Sequence, residues 1–111
     1  MISPAMAITR VCLVRHKVSF RMQHEGLLGE AYRIGLNPYK GDFVVFIGRH
    51  KKAIKLLFAD QSGIWVGYKR FHQGHVPSEF KFLDDPGATI IAPSAVTRLI
   101  EGSSFTPATG L

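Results

Sequence analysis

The chain has little cysteine, few acidic residues and no long apolar run, and each shortage removes a class of explanation. Cys12 is the one cysteine in 111 residues. An intrachain disulfide and a thiolate metal cage both need more thiols than that. A nucleophilic thiol would need a base beside it. His16 is near in sequence, but the apolar run TRVCLV around Cys12 reads as core. No apolar run approaches the roughly 18 residues that span a bilayer. In MISPAMAITRVCLVRHK the cations follow the apolar residues, the reverse of a signal peptide. A cytoplasmic protein without membrane contact is expected.

The acidic shortage points toward partners. Eight Asp and Glu stand against fourteen Lys and Arg, a formal net charge of +6. Such a balance favours nucleic acid, an anionic surface or an acidic protein. With 46% hydrophobic and 20% charged residues the chain has the composition of a folded domain. Its length fits one domain, expected over residues 1–105, with a flexible tail at 106–111.

Hydrophobic periodicity divides the chain. ITRVCLV (8–14) reads as a first strand. From Phe20 the apolar residues Leu27, Leu28, Ala31 and Ile34 recur at helical spacing, with Ser19 as the expected N-cap and Gly35 and Asn37-Pro38 as the stop. The period then becomes two. FVVFIG (43–48), AIKLLFAD (53–60) and GIWVGYKRF (63–71) read as strands joined by the short links RHKK and DQSG. VPSEFKF reads as a further, edge strand because of Pro77, and TIIA as a short one. Pro93 opens a second helix on the face Val96, Leu99 and Ile100, and Gly102 closes it. The expectation is an α+β domain of order β-α-β-β-β-β-α: an antiparallel meander of four to five strands with two helices packed on one face.

Three stretches together resemble a known family: FRMQHEGLLGEAY (20–32), GDFVVFIGRHKKAIKLLFADQSGIWVGYKRFHQGHV (41–76) and APSAVTRLIEGSSF (92–105). They are similar to the small accessory proteins, called TnpB, of transposable elements of insertion sequence family sixty-six. Gly48-Arg49, Ile54-Lys55, Asp60, Gly63, Tyr68-Lys69-Arg70 and Gly74 carry the resemblance. The chain departs from the pattern at Phe20-Arg21-Met22-Gln23, where the family usually opens its first helix with Asp-Met-Arg-Lys. The resemblance implies a bacterial protein that assists DNA transposition beside a separate, element-encoded transposase.

The chemistry-bearing residues concentrate in one region. Residues 40–81 hold Lys40, Arg49, Lys51, Lys52, Lys55, Lys69, Arg70 and Lys81 against only Asp42, Asp60 and Glu79. Paired strands would put Arg49, Lys51 and Lys52 at one end, with Lys55 and Lys69 on a shared, less apolar face beside Trp65. Such a stripe releases counterions from phosphates, and an aromatic beside it can stack on an unpaired base. The bland alternative is a solvated hairpin tip, with lysines guarding strand edges. His72 and His75 flank a turn, and His16, His24 and His50 are scattered, so no metal site is expected. Asp60 with Glu79-Phe80-Lys81 loosely mimics a metal-dependent nuclease, but Asp60 also suits the first position of a turn. The reading is therefore a non-enzymatic accessory protein that needs no cofactor. Its expected contact surface for DNA is Arg49, Lys51, Lys52, Lys55, Lys69 and Arg70, with Trp65 and Tyr68 as secondary candidates. The alternatives are a module docking on the transposase without DNA contact, and a metal nuclease.

Overall fold

Strands that are apolar on both faces need cover on both faces, and this requirement sets the architecture. The structure, a computed structural model, describes residues 8–83 and 85–103. Its elements are β1 (Arg10–Val14), α1 (His24–Arg33), a 3-10 turn at Pro38–Lys40, β2 (Asp42–Ile47), β3 (Ala53–Ala59), β4 (Ile64–Arg70), β5 (Ala88–Ile91) and α2 (Pro93–Glu101). The tail expected at 106–111 lies outside the described residues.

The α+β class and the element order are as expected, but the sheet is mixed. Its strand order is β4-β3-β2-β1-β5. The meander holds for β2, β3 and β4, which pair antiparallel. β1, however, lies parallel to β2, with Cys12 beside Val44. The helix between them returns the chain to the end where β1 began, and only a parallel partner fits that path. Asp42, at the start of β2, fastens the pair. Its carboxylate accepts from Arg10 Nε at 2.5 Å and from the Asn37 backbone N–H at 2.7 Å. The Arg10 hydrogen bond holds the Asp42 carboxyl below the usual carboxylate range.

VPSEFKF is not a strand. β4 and β5 sit at opposite edges of the sheet, so the link between them crosses its end instead of joining it. Val76 N–H donates to Lys51 C=O and Leu83 N–H to Arg15 C=O, both contacts made on the way. Val76 and Phe80 are buried in the core as the link passes.

The two helices take opposite faces, which corrects the one-face expectation. Val11, Leu13, Val45, Ile47 and Ile54 pack with Leu99 of α2. Cys12, Val14, Val44, Phe46 and Leu57 pack with Leu27 and Ala31 of α1. Strand residues alternate between the two sets, as the pleat demands. α2 begins at Pro93 and ends at Gly102, as expected. Gly102 has φ 80, and a Cβ there would stand 2.8 Å from the Phe71 ring, so glycine is needed twice over. α1 begins at His24, four residues later than Ser19 predicts. The carbonyls of Phe20 and Met22, which an earlier helix start would use, are instead occupied by Lys55.

Candidate nucleic-acid interface

The β1–α1 link and the β2–β3 turn are far apart in sequence and adjacent in space. An isolated parallel bridge joins Val18 to Gly48 and draws them together. Gly48 permits the approach: a Cβ there would stand 3.3 Å from both the Phe20 ring and the Ala53 carbonyl oxygen. The link is anchored twice. Lys55 Nζ donates to the carbonyls of Phe20 at 3.0 Å and Met22 at 2.7 Å. His16 Nε2 lies 2.5 Å from Glu30 Oε2 on α1. Glu30 also accepts from Arg33, and that bond is the main reason its carboxyl is held low.

Between link and turn lies an open groove of about 610 Å³. Lys17 and Arg21 line it from the link, and Arg49, His50 and Lys52 from the turn, with Phe20 at its wall. Its lining contains no carboxylate. Among the described residues, Arg21 and Arg49 make no side-chain hydrogen bond or ion pair within the fold and are exposed. Cations gathered without counter-charge raise the local potential and concentrate anions. Two guanidinium groups add forked donors that match phosphate or carboxylate oxygens.

The six basic residues expected as a contact surface separate into three groups. Arg49 and Lys52 line the groove, and Lys52 Nζ also donates to the Gly74 carbonyl at 3.2 Å. Lys51 and Arg70 flank it. Lys51 has φ 58 and its ammonium lies 5.6 Å from the Phe82 ring centroid, with Lys17 at 5.5 Å from the same ring. Arg70 is the cross-strand partner of Ala53, a groove residue, and so stands on that face. The third group lies elsewhere.

Lys55 is a correction to the expected surface. It is 2% exposed, and its ammonium is spent on two carbonyls and on the rings of Phe20 and Tyr68, each 5.3 Å away. Burial lowers its pKa. Lys55 and Lys69 do not share a face either. Lys55 pairs with Tyr68, whereas Lys69 pairs with Ile54 on the α2 side. There Lys69 donates to the Ile100 carbonyl and lies 5.0 Å from the Phe71 ring centroid. Trp65 is likewise remote from the basic turn. It stacks on Phe58 at 6.0 Å, Phe58 stacks on Phe43 at 5.2 Å, and the indole N–H donates to Asp60. The aromatic beside the groove is Phe20, in edge-to-face contact with Tyr68.

Sequence reasoning missed Lys17 and Arg21. The signal was present: RHKVSFR (15–21) holds three cations, a histidine and no acid. The nuclease pattern does not assemble. Asp60 sits in the turn before β4, and Glu79 sits beyond the strand's other end, in the link that leads to β5. Asp60 serves its turn, and Glu79 pairs with Arg98 at 2.7 Å. Among the described residues no three His, Cys, Asp or Glu side chains converge as metal ligands. His75 bonds Val76 C=O and Ser103, while His72 is exposed. Cys12 is fully buried, which pushes its thiol pKa up. No helix among the described residues is long and apolar enough to cross a membrane.

A family model described as IS66 Orf2 like protein matches residues 9–109 of this chain. No curated protein matches it significantly, and no solved structure does.

Proposed function

The chain belongs to the IS66 Orf2 like protein family, and on that premise we propose that it is a non-enzymatic accessory of DNA transposition that grips DNA phosphates in the basic groove. One observation carries the reading: Lys17, Arg21, Arg49 and Lys52 converge on a groove without a carboxylate. Lys51 and Arg70 extend the cationic rim. Lys55 and Lys69 leave the proposed contact set: Lys55 is buried with its ammonium on two carbonyls, and Lys69, though exposed, lies on the opposite, α2-covered face of the sheet. Family membership makes DNA and the element-encoded transposase the partners to test.

Phosphate contact of this kind is salt-sensitive, each contacted phosphate contributing about −0.9 to the slope of log K against log salt. The test is a titration against fluorescent duplex carrying the element's terminal repeat, and against a scrambled duplex, between about 50 and 200 mM salt. Tighter binding to the repeat would make the protein an end-recognition factor; equal binding would make it a general DNA-holding surface. Reversing both arginines, Arg21→Glu with Arg49→Glu, removes binding while the circular dichroism and Tm stay those of the parent. Absence of binding at low salt overturns the DNA reading. Co-purification with the transposase, lost in the same variant, would then give the groove to an acidic segment of that partner.

A further inference from the structure

We infer that the groove takes an unpaired strand in preference to a duplex, with Tyr68 and Phe20 as the platform for its bases; this rests on the phosphate-gripping reading above. Phe20 forms part of the groove wall. Its ring meets the Tyr68 ring edge-to-face at 6.0 Å, so the aromatic surface continues from the groove onto β4. Among the described residues β4 is an edge strand of the sheet, and Tyr68 is 59% exposed. Arg70 stands two residues further along the same face, beside the groove residue Ala53. Cations therefore border the aromatic pair on two sides: Arg21 and Arg49 at the groove and Arg70 on the strand.

Tyr68 does little for the fold that its exposure would explain. Among the described residues its hydroxyl makes no hydrogen bond, and most of its ring faces solvent. Yet the ring is held in place, because the buried Lys55 ammonium lies 5.3 Å from the centroids of both Tyr68 and Phe20. An aromatic fixed in advance loses little rotamer freedom on binding. Exposed Trp65 is the useful contrast. Its ring stacks within the fold, its N–H is bound to Asp60, and it lies at the opposite end of β4. A cationic track beside a fixed, solvent-facing aromatic is the arrangement that binds single strands, since every base offers a π-face. In a duplex those faces are already stacked and cannot reach Tyr68.

The experiment compares three fluorescein-labelled probes of equal length: oligothymidylate, an abasic strand and a duplex. The expected result is tighter binding of oligothymidylate than of either other probe. Tyr68→Ala should weaken oligothymidylate about tenfold and leave the abasic strand and duplex unchanged, with circular dichroism showing that the variant is folded. Tyr68→Phe should restore the preference, because stacking needs the ring and not the hydroxyl. Equal affinity for oligothymidylate and the abasic strand would overturn the inference while leaving a phosphate-only groove intact. Failure of all three probes to bind at low salt would overturn both readings together.

Discussion

The two hairpin turns at the ends of β3 are built from opposite charges and use them in opposite ways. In the β3–β4 turn the Asp60 carboxylate accepts from the N–H groups of Ser62 and Gly63, each at 2.9 Å, and from the Trp65 indole at 2.9 Å. These bonds, the Trp65 one foremost, hold its pKa down. In the β2–β3 turn the backbone closes on itself, with Lys51 N–H donating to Gly48 C=O and Gly48 N–H to Ala53 C=O. The difference follows from donor and acceptor chemistry. A turn leaves N–H groups in need of acceptors, which a carboxylate supplies and Lys or Arg cannot. Acid in a turn is therefore consumed by folding. Cations in a turn remain available unless a carbonyl reaches them, as Gly74 reaches Lys52.

Lys55, midway along β3, is the cation that folding did consume, and its removal should have the largest effect. Lys55→Ala deletes a buried side chain and strips two carbonyls of their donor, so a loss of about 2–4 kcal/mol is expected in urea unfolding. The Phe20–Arg21 wall of the groove should loosen with it, weakening nucleic-acid binding. A stability unchanged in this variant would break the distinction between consumed and available cations.

Asp42 lies at the same end of the sheet as Asp60 and tests the acidic half. Its folded pKa is below its unfolded value, so its contribution is present above the unfolded carboxylate range and is lost as pH falls through the folded pKa. Asp42→Asn should cost about 2 kcal/mol near neutral pH, where it removes charged hydrogen bonds, and should flatten the acid limb of a stability-against-pH curve. An acid limb as steep as the parent's would show that other carboxylates carry it.

A crossed pair of variants sharpens the comparison directly. Asp60→Ala should lower the Tm and leave DNA affinity unchanged. Arg21→Ala with Arg49→Ala should leave the Tm unchanged and reduce the salt slope by about two. The smallest effect belongs to Gly48→Ala. The added methyl crowds Phe20 and the Ala53 carbonyl, for an expected cost of about 1 kcal/mol measured by thermal unfolding.

Much of the fold was legible because its signals are local. Pro93 and Gly102 bracket α2 in sequence as they do in space, and period-two runs mark β2, β3 and β4. The burial of Lys55 was partly legible too. Leu57, two residues on, shares its face, and a strand apolar on both faces leaves no wet side for the lysine between them. The VPSEFKF segment misled because its alternation is real; Val76 and Phe80 do turn inward, but from a crossing link.

By itself the sequence determined most of the elements, their order and the basic balance, because periodicity and composition need no knowledge of distant residues, and its motifs carried the resemblance to the family. Tertiary structure decided the rest. The parallel pairing of β1 with β2 and the Val18–Gly48 bridge bring Lys17 and Arg21 to Arg49, across about thirty residues of chain. Strand register decided which lysine is buried and which is exposed, since a shift of one residue exchanges the faces. The groove is a product of those two decisions, and no window of the sequence short of both segments contains it.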